Sequence, residues 1–396
     1  MRLRNGELPG VVYPAVPSLS TLRNRFAIVL ATYFASGFGT SAQTISSAVP
    51  ARFPPPQLEV RVPFEPTAFP SAGRTHLIYE LHLRNFEAAP IALDRVEVLD
   101  ADINGGPSVA TFEGERLDAI LQPIGARPSG GAGRTLAGGS SAVVFIAVAL
   151  DAGARVPNRL RHRIVTTDST VEGAEVGTHH TQLRILGPPV TGPDWLARSG
   201  PGNDSYHRRG TLVLNGRATI DRRYAIDWVR RHNDATFSGD ALANDSYYAH
   251  RENVLAVAYG TVITVRDGIP ENVPRHDGFR PAVPLSMDTL AGNSITLAIG
   301  DNQFAHYMHL QPGSLQVKAG DRVRRGQVLG RIGNSGDSRE PHLHFEVTTS
   351  STLLAGEGVP YVIDHFQLRT AGNSWQARSR ELPLADMVID FGQRHN

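Results

Sequence analysis

The sequence predicts an all-β protein, and three observations carry that expectation. Glycine and proline are abundant, with 39 and 27 among 396 residues, and they supply the turns that antiparallel strands require. Apolar and polar residues alternate in one segment after another, the period of a strand with one face turned inward. Finally, no stretch beyond residue 188 reads as a convincing long helix.

Length and composition set the frame for the elements. A chain of 396 residues exceeds one ordinary core, so two domains behind an N-terminal extension are expected. Hydrophobic residues at 41% and charged residues at 19% favour packed cores over disorder. The formal net charge is +1, and Lys318 is the only lysine. No basic run interleaves with aromatics, so a nucleic-acid groove is excluded as a function class.

Residues 1–42 read as a secretory signal. Arg23 and Arg25 precede the apolar run Phe26 to Phe38, and the small residues Thr40, Ser41 and Ala42 follow. That run is shorter than the ~20 residues of a membrane-spanning helix. The expectation is therefore a cleaved, exported protein of the periplasm or cell exterior, with no stable membrane span. The chain has no cysteine, so disulfides give no sign of its compartment.

A Pro-rich linker, 43–57, leads into the first domain, expected over 58–187 as an immunoglobulin-like antiparallel sandwich. In HLIYELHLRN, Leu77, Tyr79, Leu81 and Leu83 share one face, with His76, Glu80, His82 and Arg84 on the other. SAVVFIAVAL and the alternating Leu160, His162 and Ile164 supply further strands, while His179 and His180 read as solvated loop residues. The segment LGPPVTGPDW marks the boundary, and the second domain is expected over 188–396. There, VLAVAYGTVITV, NSITLAIG, FAHYMHL and HLHFEVTT are strand candidates, with a long polar loop from Asp267 to Leu290.

The candidate chemistry lies in this second part. In PHLHFEV, His342 and His344 are two residues apart, a spacing that puts both on one face of a strand. HYMHL offers His309 on the same side as Tyr307, and RYAIDW offers Asp227. Imidazole and carboxylate are the ligand types of a catalytic zinc site, which uses three protein ligands and leaves a fourth position for water.

The order AID, VLAVAYGTV, GNSITLAIG, YMHL, VKAGDRVRRGQVLGRIGNSG and PHLHFE, over roughly residues 223–348, resembles the core of the lysostaphin-type zinc endopeptidases. The resemblance implies a β-barrel or sandwich-hybrid peptidase domain with one zinc ion, acting on peptidoglycan peptides. It also implies that Asp227 and His344 are metal ligands and that His309 and His342 are the catalytic pair that polarises water and stabilises the oxyanion. The family's first ligand position, four residues before Asp227, is occupied here by Arg223, a cation that cannot coordinate a metal. Three outcomes follow from that replacement. Another side chain such as His207 or His250 completes the site, zinc binds only with substrate, or the domain has lost hydrolysis and binds cell-wall peptides or activates another hydrolase. A histidine near Asp227 and His344 favours the enzyme, and an Arg223–Asp227 ion pair favours the binder.

Overall fold

The computed structural model describes residues 55–124, 133–275 and 277–392. The expected signal, 1–42, and most of the expected linker lie outside the described residues. Among the described residues the regular structure is nearly all β, as expected, with two short α-helices at Gly114–Ile120 and Tyr206–Arg209 and 3-10 turns at Asp221–Tyr224 and Asn244–Ser246. Among the described residues, no helix is long and apolar enough to cross a membrane.

Residues 58–177 form two antiparallel sheets. One carries Leu58–Arg61, Arg74–Asn85, Ser141–Leu150 and Leu121–Ile124 in that spatial order; the other carries Thr170–Gly177, Arg159–Thr166, Ile91–Asp100 and Ser108–Glu113. The alternation in the sequence decides what lies between them. Leu77, Tyr79, Leu81 and Leu83 meet Val144 and Ile146 from their own sheet and Val96, Val98, Leu160 and Ile164 from the opposite one. His179 and His180 are exposed, as their loop setting predicts. The opposite face of Arg74–Asn85 departs from the simple half-buried reading. Glu80 sits on that face yet is only 3% exposed, because the second half of the chain packs over it. Ile78 and Phe69 belong to the same apolar core as Trp195, Trp228 and Phe345, and the Tyr224 hydroxyl donates to the Ile78 carbonyl at 2.9 Å.

The larger sheet places Trp195–Arg198, Ile226–Arg230, Leu343–Thr348, Gln303–Leu310, Asn293–Gly300 and Gly260–Arg266 side by side, each antiparallel to the next. A second sheet of Asn253–Leu255 and Val328–Arg331 packs over it through Val254 and Leu329. Arg184–Leu186, which precedes the expected boundary at 187/188, pairs in parallel with Tyr361–Arg369 of this larger sheet. The Pro/Gly segment beyond it is tied down: Gly187 N donates to Val257 O at 2.7 Å, and Gly192 N to Gly392 O at 2.8 Å. Residues 267–275 and 277–292 carry no strand or helix and lie between Gly260–Arg266 and Asn293–Gly300 in the chain.

Gly336 fixes a turn against the second of these segments. Its φ is +79°, and a Cβ there would lie 2.3 Å from Gly292 N and 2.5 Å from Leu290 O, both backbone atoms that cannot yield cheaply. Gly336→Ala is expected to destabilise the chain by about 1–3 kcal/mol or more. Denaturant unfolding checks this, and an unchanged midpoint would refute the assignment of this glycine as a structural requirement.

Candidate metal centre

Strand register brings the first residues of the site together. Ile226–Arg230 pairs with Leu343–Thr348 so that Asp227 stands directly opposite His344, and residues opposed in a ladder share a face. His344 Nδ1 lies 2.9 Å from Asp227 Oδ1, and His342 Nε2 approaches the same oxygen at 3.4 Å. The H-x-H spacing therefore does put both rings on one carboxylate.

His309 arrives by a different route. Met308 is the register partner of His344, so strand alternation would turn residue 309 toward the core with Tyr307, whose ring packs against Phe345. Instead His309 has a φ of +65°, a left-handed conformation costly for a non-glycine residue, and its ring lies 4.9 Å from that of His342. The expected shared orientation of His309 and Tyr307 is thus corrected: Tyr307 is buried in the core, and backbone strain swings His309 into the cleft.

The remaining corner is filled by His207, on the short helix Tyr206–Arg209. Its Nε2 lies 3.5 Å from Asp227 Oδ2, and its ring meets the His344 ring edge-on at 4.7 Å. Each of His207, Asp227 and His344 offers a ligand atom within 4.8 Å of the others, and all three are buried. His250 goes elsewhere, with Asp245 at 2.9 Å and Glu271 at 3.0 Å. Arg223 does not face Asp227. Its guanidinium donates to Glu80 at 2.7 Å, Glu357 at 2.9 Å and the Gly358 carbonyl at 3.0 Å.

Protonation states follow from these contacts. A carbonyl can only accept, so the 3.1 Å contact with Ser199 O puts the proton of His207 on Nδ1. Burial pushes the pKa of His207 down to about 4, which leaves Nε2 as a bare lone pair. His309 donates Nδ1–H to Ser335 O at 2.8 Å, and burial together with the neighbouring histidines holds its pKa well below the usual range. His342 Nδ1 likewise faces Glu340 O at 2.8 Å, aiming Nε2 into the cleft. Burial opposes charge on His344, but its bonds to Asp227 and to Glu346 prevail and push its pKa up to about 9. Asp227 is also buried, yet the imidazoles around it keep its pKa well below the carboxylate range.

These residues fit a zinc ion. The bare Nε2 of His207 and Oδ2 of Asp227 lie 3.5 Å apart with lone pairs turned toward the cleft, so a cation there would satisfy both, beside the Tyr206 hydroxyl that already reaches Oδ2. Two imidazoles and a carboxylate form the donor set of a catalytic zinc site, with His344 giving up to the metal the Nδ1 proton it shares with Asp227. Glu346 Oε2, 3.4 Å from His344 Nε2, is placed to orient that ring from behind.

All four expected site residues, Asp227, His309, His342 and His344, thus line one cleft. Sequence reading did not single out Tyr206, whose hydroxyl donates to Asp227 Oδ2 at 2.8 Å, nor Glu346 and Ser335. Glu346 carried a signal, two positions beyond His344 on the same strand face; Tyr206 and Ser335 carried none, because their roles arise from loops brought together in space.

Comparison with known proteins agrees in part of this region. Residues 244–355 match the model of Peptidase family M23, a span that contains His309, His342 and His344. Glycyl-glycine endopeptidase ALE-1 of Staphylococcus capitis is 46% identical over 61 residues, 15% of this chain and 16% of that protein. Peptidoglycan DD-endopeptidase ShyA of Vibrio cholerae is 40% identical over 57 residues, 14% of this chain and 13% of its own. Lysostaphin of Staphylococcus staphylolyticus is 39% identical over 74 residues, 18% and 15% of the two chains. The chain therefore spans about a sixth or less of the length of these relatives. Among solved structures, the catalytic domain of lysostaphin from Staphylococcus simulans aligns at 22% identity over 39% of this chain and 80% of that one, with a TM-score of 0.22. The M23 metalloprotease pseudoalterin aligns at 16% identity over 50% and 87%, with a TM-score of 0.26. Over residues 244–355, this chain carries a domain of Peptidase family M23.

Proposed function

We propose that this chain is an exported, zinc-dependent endopeptidase that hydrolyses peptide bonds of bacterial peptidoglycan. The observation that carries the reading is His207, which supplies an imidazole beside Asp227 and His344 where the family's first ligand position holds Arg223. Bound here, zinc would supply a Lewis acid that lowers the pKa of its water to about 7. His309 and His342 present Nε2 atoms toward the same cleft, with their Nδ1 protons held by backbone carbonyls; this leaves them free to take a proton from water and to stabilise charge on the peptide oxygen. The peptidoglycan and glycyl endopeptidases among its relatives support cell-wall peptides as the substrate class. Export rests on the N-terminal sequence pattern alone.

The alternative is a catalytically silent member that grips cell-wall peptides or activates another hydrolase. The missing Arg223–Asp227 ion pair argues against it, since Arg223 is spent on Glu80 and Glu357. The test is release of soluble fragments from purified peptidoglycan, using both glycine-bridged and directly cross-linked material. Turnover should depend on zinc, vanish with a chelator and return on adding zinc back. Binding to peptidoglycan without turnover, with zinc present, would favour the silent reading.

A further inference from the structure

We propose that Glu80, in the N-terminal half, is a positioning residue for the metal site, holding the turn that carries His207. The inference rests on the zinc reading above and gives the N-terminal sheets a role in it. His207 sits in a helix of four residues, Tyr206–Arg209, too short to hold its own orientation. The next residue, Arg208, anchors it. Arg208 is fully buried, and its guanidinium donates to Glu80 Oε1 at 2.8 Å, to the Tyr79 carbonyl at 2.7 Å and to the Ile146 carbonyl at 2.8 Å. Every one of those acceptors belongs to the strands Arg74–Asn85 and Ser141–Leu150. Arg209 adds a bond to the Ala119 carbonyl at 2.6 Å, again in the N-terminal half.

The other oxygen of Glu80 accepts from Arg223 at 2.7 Å. One carboxylate therefore grips both the residue at the family's first ligand position and the neighbour of the histidine that takes its place. The two departures from the family pattern are linked through it. Arg223 is the partner that Glu80 needs, and Arg208 is the strut that sets His207 beside Asp227.

The experiment uses the full chain as wild type, Glu80→Gln, Arg208→Lys, Glu357→Gln and His207→Ala. Zinc affinity is measured by competition with a chelator, and site geometry by the visible absorption of bound cobalt(II). Glu80→Gln is expected to weaken zinc about tenfold or more and to alter the cobalt spectrum, in the range of losses seen when a ligand's supporting partner is removed. Arg208→Lys keeps the charge, but its three donors radiate from one nitrogen and cannot reach acceptors set around a planar guanidinium; it is expected to match Glu80→Gln and decides the question if Glu80→Gln does not fold. Glu357→Gln touches Arg223 but not Arg208, so it should leave affinity and spectrum near wild type even if it lowers the melting temperature. Wild-type zinc affinity and spectrum retained in both Glu80→Gln and Arg208→Lys would overturn this inference alone. A wild-type chain that takes up no zinc would overturn the zinc reading, and this inference with it.

Discussion

On the zinc reading proposed above, replacing His207 with alanine is expected to abolish zinc binding while leaving the fold in place. The ring is buried, makes one hydrogen bond to Ser199 O and packs against the Tyr206 and His344 rings, so its loss costs on the order of 2–3 kcal/mol, less than the stability of an ordinary domain. Its Nε2, by contrast, is one of three donors in a site that needs three. Two donors hold zinc far more weakly, and the expected loss of affinity exceeds about 100-fold, beyond what disturbing a supporting residue costs. Peptidoglycan hydrolysis should fall with it. His250→Ala is the matched control, since His250 is paired with Asp245 and Glu271 and should keep its zinc. Metal content of the purified variants decides it. A His207→Ala protein with one tightly held zinc would mean that another residue completes the site.

The second large effect runs against the family pattern. Read from the sequence alone, Arg223→His restores a missing ligand and should tighten zinc. The structure predicts no such gain. Arg223 is 4% exposed, and its guanidinium satisfies Glu80, Glu357 and the Gly358 carbonyl while resting over the Phe64 ring at 5.3 Å. An imidazole is too short to serve all three acceptors, so at least one buried carboxylate loses its partner. Breaking a buried ion pair from one side costs about 3–5 kcal/mol. Arg223→His should therefore unfold at lower denaturant and bind zinc no better than wild type. An increase in zinc affinity of tenfold or more, with stability preserved, would show that residue 223 can still reach the metal.

Much of the site was legible because its residues sit on strands whose spacing is local information. His342 and His344 are two apart, and a pleated strand has no choice but to put such residues on one face. The alternation of Leu77, Tyr79, Leu81 and Leu83 likewise announced the first core. His309 lines the cleft but was given the wrong direction, because its left-handed backbone is held by the loops around it and not by its own strand.

By itself, the sequence determined the all-β class and the buried faces of the long strands, and it named Asp227, His309, His342 and His344, which line one cleft. Tertiary structure alone decided which histidine stands beside Asp227 and what Arg223 is for. Residue 207 reaches Asp227 from twenty positions away, through a turn pinned by Arg208 to a carboxylate 128 residues upstream. Contacts of that kind have no period and no spacing. They exist because two packed halves of the chain must satisfy every charge they bury, and that requirement applies only once the halves meet.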